Sequence, residues 1–403
     1  MTIKFYMENP YLKELEANVI EKRYANNKYY IKLDRTIFYP HLSGGQPGDK
    51  GTINGLEVLE AYEDGNDIVH VLENGINCDR VNISIDWENR LDLMQQHTGQ
   101  HLLSAVFYKL FNGETIGFNI SKEYVYVDIT IPSLSEEDAQ KVEMLANKVI
   151  YSNFSIKSYF VNENQLKKLP IRKKPKVHSN IRIVEIDNFD FCPCGGTHLS
   201  HTGELGIIKI RKWEKYKGNI RVEFVCGARA LNDYTWKNIY IKEISSLISA
   251  KDKDVLNRVH KLYEDKENLE KENRILRDRL LKLKGDSFFE DSKLNNDIKF
   301  IYKVIDDMDF KELSFIANYL QANDKLIQIY GLKGNDKSQF YVSSSKDMNI
   351  NLQEIFKKIS SQYDIKGGGN PNTVQGSSMT SNLKNIMENF TNYIVKEIKV
   401  RKS

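Results

Sequence analysis

Several features that would assign the chain to a special class are scarce or missing. Only four of its 403 residues are cysteine, which is too few for a disulfide framework. No apolar run approaches the roughly 20 residues that cross a bilayer, and the N-terminal Met1-Thr2-Ile3-Lys4-Phe5 lacks the pattern of a signal peptide. These absences argue against disulfide-stapled and membrane-spanning proteins, and they predict a cytoplasmic location with no membrane partner.

A strong charge of one sign is also lacking. The formal net charge is only +3, so any contact with nucleic acid must use local basic patches. Hydrophobic residues make up 40% of the chain and charged residues 28%, which is ordinary for globular domains. Because 403 residues are too many for one core, we expect an α+β multidomain protein.

Local patterns divide the chain into four predicted parts. Residues 1–88 contain β-formers between turn residues and predict a small β-barrel or twisted sheet. Residues 89–234 mix strand and helix patterns and predict an α/β domain. Residues 235–287 are typical of a helical arm, and residues 288–403 predict a second α/β domain.

A segment rich in glycine and proline, residues 40–51, interrupts the first part. Its glycines, among them Gly44 and Gly45, allow backbone N–H groups to approach a ligand closely. Both are therefore candidate substrate contacts, and a plain cluster of β-turns is the alternative. The G-x-x-x-x-G-K-[ST] spacing of a phosphate-binding P-loop is absent.

Two histidines four residues apart begin the strongest constellation. His97 and His101 lie in a predicted helix, which would put both imidazoles on one face. About a hundred residues later comes Phe191-Cys192-Pro193-Cys194-Gly195-Gly196-Thr197-His198, here called the hook, whose proline and glycines predict a tight loop. Paired histidines alone are more often merely packed, but the added Cys/His pair favours a metal. Zinc suits the resulting four-ligand set, which consists of His97, His101, Cys194 and His198.

Two further residues near the hook are spare candidates, Cys192 and His201. We prefer Cys194 as the ligand because it lies on the flexible Gly-Gly side of Pro193. Cys192 is then a neighbour of the ligands or a small buried hydrophobe, and His201 is expected at the surface.

A basic run occupies residues 167–176, where six residues in ten are lysine or arginine. Such runs are usually solvated surface. Beside a predicted metal site, Arg172 and Lys173 are also candidate contacts for RNA phosphates.

The helical arm carries a heptad pattern. Its leucines recur every seven residues at one seam position, as Leu262, Leu269, Leu276 and Leu283. The other seam position includes Lys266 and Asn273, and a buried Asn273 would favour a parallel pair in register. The pattern predicts a homodimer through a coiled coil, with an intramolecular helical hairpin or a single packed arm as alternatives.

The last part contains three consecutive glycines, Gly367, Gly368 and Gly369, followed by Asn370-Pro371. We expect a rigid loop whose exposed N–H groups suit phosphate or ribose contact. A basic C-terminal helix that includes Arg401 and Lys402 follows it.

These motifs, in this order, resemble those of alanyl-tRNA synthetase. The segment from Thr36-Ile37-Phe38-Tyr39 to Gly44-Gly45-Gln46-Pro47-Gly48-Asp49, the H-x-x-x-H pair and the Cys-Gly-Gly-Thr-His hook look like its editing half. The Gly-Gly-Gly-Asn-Pro stretch looks like its C-terminal DHHA1 domain. Within this segment, Pro40-His41-Leu42-Ser43 differs from the sequence that is commonest in the family. Because the chain starts directly at the β-rich part, it is most similar to the free-standing alanyl-tRNA editing proteins of the long AlaX type.

The resemblance implies a zinc-containing deacylase that hydrolyses the ester of tRNA(Ala) mischarged with serine or glycine. Residues 89–234 would be the zinc-binding editing domain, and residues 288–403 a DHHA1-like domain for tRNA binding and dimerisation. Thr36 matches a threonine associated with reading the serine side chain. Gln46 matches a glutamine implicated in the reaction, where it would orient water or polarise the ester carbonyl. The four predicted ligands match the zinc ligands of the family.

Other functions were weighed against this one. A non-catalytic tRNA-binding protein with a structural zinc is the main alternative. A phosphoesterase is disfavoured because the Asp-His-His signature is absent, and H-E-x-x-H protease chemistry because no glutamate adjoins the histidines. Threonyl-tRNA synthetases carry a related editing domain, but the Gly-Gly-Gly-Asn-Pro stretch favours the alanine system.

Overall fold

The computed structural model describes residues 1–41, 43–122, 124–175, 180–295 and 297–400. Leu42 of the glycine-rich segment, Lys176 of the basic run, and Arg401 and Lys402 lie outside the described residues. The chain divides into two compact units, Met1–Leu247 and Ile248–Ser403. The finer division into four parts stays a prediction.

Eight strands open the first unit. They are β1 (Ile3–Lys4), β2 (Glu14–Ala25), β3 (Lys28–Leu33), β4 (Arg35–Thr36), β5 (Gly51–Ile53), β6 (Leu56–Asp64), β7 (Asp67–Leu72) and β8 (Arg80–Ile85). Six of them close a barrel in the order β2-β3-β7-β6-β5-β8, and β1 pairs with β4 in parallel. Asn26 and Asn27 both have positive φ, 51° and 58°, as a two-residue hairpin turn between β2 and β3 requires. Apolar residues such as Ile31, Ile53 and Ile83 fill the barrel.

The helix α1 (Trp87–Phe111) follows the barrel and carries both predicted ligand histidines. Asp86 caps its first turn by accepting a hydrogen bond from the N–H of Asn89, and Asn112 ends it in the left-handed conformation. Leu102, Leu103, Val106 and Phe107 are buried as expected. Leu110 is 40% exposed, because the buried part of the helix ends at Phe107.

Two antiparallel sheets and three helices complete the first unit. The elements are β9 (Thr115–Ile120), β10 (Val125–Ile129), α2 (Glu136–Tyr151), β11 (Ile156–Val161), α3 (Glu163–Leu166), β12 (Ile181–Ile186), β13 (Asp190–Pro193), β14 (Ile208–Tyr216), β15 (Asn219–Cys226) and α4 (Gly227–Leu247). One sheet has the order β14-β15-β10-β9 and the other β11-β12-β13. Ser135 caps α2 by accepting a hydrogen bond from the N–H of Asp138. The first three residues of the hook belong to β13, so its position depends on the pairing of β13 with β12.

The second unit is a six-stranded sheet with four helices, in the strand order β16-β17-β18-β19-β21-β20. Its elements are α5 (Val255–Glu290), β16 (Lys293–Asn295), β17 (Ile298–Ile305), α6 (Phe310–Leu320), β18 (Leu326–Leu332), β19 (Lys337–Ser344), α7 (Leu352–Ser360), β20 (Lys366–Asn370), β21 (Thr373–Met379) and α8 (Leu383–Val400). The three glycines lie in β20, which pairs with β21. The prediction of a loop is therefore wrong for the three glycines. They lie in an edge strand, and only the short turn Pro371-Asn372 separates this strand from β21.

The predicted helical arm is interrupted. Its first part belongs to α4 and its second part to α5, and Ser249 between them has a positive φ of 51°. The heptad leucines all lie on α5. Among the described residues, no helix combines the length and apolarity needed to cross a membrane.

Candidate functional site

The four predicted metal ligands come together. One ligand atom from each of His97, His101, Cys194 and His198 lies within 4.8 Å of the other three. The Cys194 Sγ is 3.5 Å from the His97 Nε2 and 3.4 Å from the His198 Nε2. All three histidines are buried. A helix and a loop separated by about a hundred residues thus build one compact cluster.

A glycine of the hook makes this close approach possible. A Cβ added to Gly196 would lie 2.2 Å from the His97 Cε1, whereas one added to Gly195 would meet nothing within 4 Å. The N–H of Gly196 also donates to the Cys194 Sγ at 3.4 Å. Only a residue without a side chain fits against the histidine at position 196.

Arg182 on β12 holds the hook in place. Its Nη1 donates to the carbonyl oxygens of Cys194, at 3.0 Å, and Gly196, at 2.8 Å. The residue is only 7% exposed. The sequence analysis missed it, although an arginine inside the apolar strand Ile181-Arg182-Ile183-Val184 is a signal that a buried partner exists.

Gln46 connects the helix to the hook. Its Oε1 accepts hydrogen bonds from the His97 Nδ1, at 2.8 Å, and from the N–H of Thr197, at 3.2 Å. Its Nε2 donates to the Thr197 Oγ1 at 2.8 Å. Because an amide oxygen can only accept, Nδ1 of His97 carries the proton and the Nε2 lone pair faces Cys194. The predicted catalytic glutamine therefore touches a metal-ligand candidate directly.

The histidines of the cluster are neutral. Burial lowers the pKa of His97 to about 3, with a further contribution from the charge of Arg182. Burial and neighbouring positive groups hold the pKa values of His101 and His198 well below their usual value. Neutral imidazoles have the free lone pair that a metal ligand needs.

The donor set fits zinc. Three imidazoles and one sulfur are the ligand types and number that tetrahedral zinc takes. The His101 Nδ1 is buried without a hydrogen-bond partner among the described residues. This is expected if a bound metal ion, and not a protein hydrogen bond, orients the His101 ring. A second group, His101, Asp190 and Cys192, is also close enough to share an ion, but Arg172 already pairs with Asp190 at 2.9 Å.

The spare candidates differ in their surroundings. Cys192 is buried, and burial raises the pKa of its thiol to about 12, so it suits the role of a small buried side chain. His201 is exposed and its Nδ1 lies 3.0 Å from the Ser200 Oγ.

Thr36, which is predicted to recognise the serine side chain, is fully buried beside His70, a histidine outside the metal-ligand cluster. Its Oγ1 lies 2.8 Å from the His70 Nε2 and accepts from the N–H of Phe38 at 3.1 Å. The His70 Nδ1 lies 3.2 Å from the carbonyl oxygen of Ile31. That carbonyl requires a donor, so the Thr36 hydroxyl donates to His70 and keeps an acceptor lone pair free.

Gly44 and Gly45 bring the glycine-rich segment to the cluster. Gly45 has φ 83°, and a Cβ on it would lie 2.7 Å from the Phe118 Cζ. Phe118 stacks on His97 with ring centroids 5.6 Å apart. A Cβ on Gly44 would lie 3.7 Å from the backbone nitrogen of Gly196. The backbone of Gly44 and Gly45 therefore lies close to the metal-ligand cluster. This agrees with a segment that contacts a ligand there, and not with a cluster of β-turns far from the site.

Known proteins match this chain over almost its whole length. Residues 181–223 match the threonyl and alanyl tRNA synthetase second additional domain, and residues 297–396 match the DHHA1 domain. The alanyl-tRNA editing protein AlaX-L of Pyrococcus horikoshii is 32% identical, and the match covers 93% of this chain and 94% of that protein. The alanyl-tRNA editing protein Aarsd1 of Danio rerio is 27% identical, with 91% and 92% covered. The alanine–tRNA ligase of Ignicoccus hospitalis is 29% identical, and the match covers 92% of this chain but 40% of that protein.

The chain belongs to the alanyl-tRNA editing proteins. The predicted family is thereby confirmed, and so is the prediction of an enzyme of the aminoacyl-tRNA deacylase class, a hydrolase.

The predicted RNA contacts of this editing protein lie in two places. In the first unit, the Arg172 guanidinium is held by Asp190 and is nearly buried, and the Lys173 Nζ donates to the carbonyl oxygen of Thr115 at 3.1 Å. Phosphate contact by Arg172 stays a prediction. It requires the Arg172 guanidinium to separate from the Asp190 carboxylate. In the second unit, Gly367, Gly368 and Gly369 line a cavity of about 610 Å³.

A buried ion pair that the sequence did not reveal supports the editing protein's site from the barrel side. Arg90 of α1 pairs with Asp49 of the glycine-rich segment, and both side chains are fully buried. Arg90 also donates to the carbonyl oxygens of Pro10 and Ile37, while Asp49 accepts from the N–H of Tyr39. The pair fixes the segment that carries Gln46 against the helix that carries His97.

Proposed function

We propose that this editing protein hydrolyses the ester of tRNA(Ala) mischarged with serine, and of tRNA(Ala) mischarged with glycine as a second substrate. The observation that carries the proposal is the set of three buried histidines and one half-buried cysteine, joined to Gln46 by a hydrogen bond. The names of the three relatives described above support tRNA(Ala) as the substrate RNA: two are alanyl-tRNA editing proteins and the third is an alanine–tRNA ligase.

Zinc is the cofactor we propose for this site. His97, His101, Cys194 and His198 would hold the ion, with Cys194 as a thiolate. Bound zinc would supply positive charge that polarises an ester carbonyl or a water molecule. The chain's own contribution is to keep the imidazoles neutral and aimed, through burial and through Gln46.

Two roles are open to Gln46 beyond orienting His97. Its amide Nε2 has two N–H donors and gives one to Thr197. Among the described residues the second donor has no hydrogen-bond partner, so it can hold a water molecule or the ester oxygen, as its predicted catalytic role requires. The vicinal ribose hydroxyl of the substrate would then serve as an internal proton acceptor and donor.

Thr36 would distinguish serine from alanine. A pocket that binds alanine rejects an added hydroxyl poorly, whereas a site that hydrogen-bonds the hydroxyl discriminates by roughly 10⁴ or more. Because the proton of Thr36 is held by His70, Thr36 offers serine an acceptor. Serine would therefore donate its hydroxyl proton to Thr36.

Further contacts would hold the tRNA. We propose Gly44 and Gly45 as backbone contacts near the ester, and Arg172 and Lys173 as phosphate contacts. Gly367, Gly368 and Gly369 of the DHHA1 domain would bind phosphate or ribose elsewhere on the tRNA. The α5 seam would join two copies into a homodimer.

Deacylation of three substrates tests the function. Seryl-tRNA(Ala), alanyl-tRNA(Ala) and seryl-tRNA(Ser) are incubated with the wild type and with His97→Ala, and zinc content is measured in both. We expect fast serine release from tRNA(Ala) alone, lost in His97→Ala together with zinc. No release from any substrate by zinc-loaded wild type would instead favour a tRNA-binding protein with a structural zinc.

A further inference from the structure

A cavity in the first unit is lined by residues that lie close in the chain to the metal-ligand cluster and its contacts. Its volume is about 610 Å³, within the usual range for small-ligand sites. Its lining includes Gly48, Lys50, Leu59, Asn89, Leu93 and Lys122. These residues come from the glycine-rich segment, β6, the start of α1 and the chain after β9. We call this cavity the α1 cleft.

Three chain segments lead from the cluster to the α1 cleft. Pro47 and Gly48 line the cleft and directly follow Gln46, which contacts His97. Leu93 lies one helical turn before His97 on the same face of α1, about 6 Å away. Ser121 lines the cleft three residues after Phe118, which stacks on His97. These paths place the cleft on the order of 10 Å from the cluster: Leu93 is about 6 Å from His97, and Ser121 is about 10 Å from Phe118.

One lining residue of this cleft, Asn89, carries a buried amide nitrogen. The Asn89 Nδ2 is buried and has no hydrogen-bond partner among the described residues, although Asn89 is a lining residue. A buried amide without a partner costs free energy, so an acceptor from a ligand would relieve it. Asparagine pairs well with the edge of adenine.

The charges of the cleft favour a phosphate-bearing ligand. Lys50 and Lys122 are lining residues, and neither has an ion-pair partner within the described part of the chain. Two of the lining carboxylates are already neutralised, Asp49 by Arg90 and Asp92 by Arg229. Glu60 is the remaining acidic lining residue. Leu59, 42% exposed, offers an apolar surface for a base.

We propose that the α1 cleft binds the single-stranded 3′ end of the substrate RNA. The terminal adenine lies against Leu59 and Leu93 with its edge on Asn89, and Lys50 and Lys122 contact the phosphates that precede it. This arrangement leaves the ester beside the metal-ligand cluster. The inference rests on the proposed function, which supplies an aminoacylated RNA as the substrate.

Binding of a fluorescent, uncharged trinucleotide RNA of sequence CCA tests the proposal. Lys50→Glu and Lys122→Glu are each expected to raise its Kd about threefold or more, and to reduce the slope of log Kd against log salt by about 0.7. Asn89→Leu is expected to raise the Kd without changing that slope. Lys28→Glu, an exposed position on the same barrel away from the cleft, is the matched control. Zinc content and folding are checked in every variant.

Deacylation of seryl-tRNA(Ala) separates this inference from the proposed function. The cleft variants should raise KM with a smaller change in kcat. If the wild type releases serine and the cleft variants keep its KM and its Kd for CCA, the cleft proposal is wrong and the function stands. If CCA binds with the predicted lysine dependence but the wild type releases no serine, the proposed function is wrong and the cleft stands. An equal loss in Lys28→Glu would also overturn the cleft.

Discussion

Gln46 contacts both a ligand histidine and the hook. Methionine has a similar length but cannot accept the proton of His97, so Gln46→Met is expected to weaken zinc binding about 10- to 100-fold. Gln46→Glu, which keeps an acceptor oxygen, should bind zinc more tightly than Gln46→Met. Chelator competition measures both affinities.

The control for Gln46 is Gln140→Met, an exposed position on α2. Unchanged zinc affinity in Gln46→Met, combined with lost deacylation, would show that Gln46 acts on the substrate and not on the ligand.

His70 should make the stability of the first unit depend on pH. Burial lowers its pKa to about 4 in the folded protein, against about 6.5 when unfolded. Between these values the unfolded chain binds more protons, so stability is complete above pH 6.5 and falls by about 3 kcal/mol as the pH drops to 4. His70→Leu lacks this part of the pH dependence.

Urea unfolding of zinc-free wild type and His70→Leu at pH 7 and pH 4.5 measures the effect of His70. The free energy of unfolding should fall more in the wild type than in the variant. An equal fall in both proteins would mean that His70 is not held neutral.

Residue identities at the cluster could be predicted because ligand chemistry restricts them to histidine and cysteine at characteristic spacings. Arg90 and His70 could not be predicted in the same way, and for Arg182 the apolar neighbours indicate burial but not which partners it has. A buried arginine or histidine has the same letter as an exposed one, and its partners, such as the carbonyl oxygens of Cys194 and Gly196, leave no trace in the sequence.

At the scale of elements, the hook depends on one glycine. Gly196→Ala places a methyl group 2.2 Å from the His97 Cε1, whereas Gly195→Ala meets nothing within 4 Å. The two neighbours are therefore a matched pair of variants. We expect Gly196→Ala to lose most zinc affinity and most deacylation, and Gly195→Ala to keep both.

Visible spectra of the cobalt-substituted proteins would detect the displaced ligands directly. Identical spectra and affinities for the two alanine variants would show that the hook has enough freedom to move away, contrary to the tight fit described above.

Elements with side-chain patterns or caps were easier to predict than those without. Ser135 is a residue type that caps helices such as α2, and β-formers between turn residues indicate the barrel strands. The strand β20 was predicted as a loop because Gly367, Gly368 and Gly369 have no side chains that could alternate. Its pairing with β21 depends on backbone hydrogen bonds alone, which any sequence can make.

At the scale of the whole molecule, the α5 seam predicts self-association. Its leucines are exposed, between 42% for Leu262 and 66% for Leu283, which is unfavourable for so many residues on one helix face. Replacing Leu262, Leu269 and Leu276 together by serine is expected to convert a dimer into a monomer, as judged by analytical ultracentrifugation. Ile275→Ser, 49% exposed and off the seam, is the control.

A seam triple variant with the sedimentation coefficient of the wild type would contradict the coiled-coil dimer. The sequence could indicate the seam from its heptads, but it could not indicate that α4 and α5 are separate helices. The break occurs at Ser249, which has a positive φ. Serine is not a residue type that indicates such a conformation, so the sequence did not reveal the break.

The central claim is that the cluster of His97, His101, Cys194 and His198 must hold zinc for ester hydrolysis. The most direct test is the rate of serine release from seryl-tRNA(Ala) by protein stripped of metal with a chelator and then given one equivalent of zinc. The account predicts that release stops in the stripped protein and returns on stoichiometric zinc, but not on magnesium. Full release by protein shown to be free of zinc would contradict it.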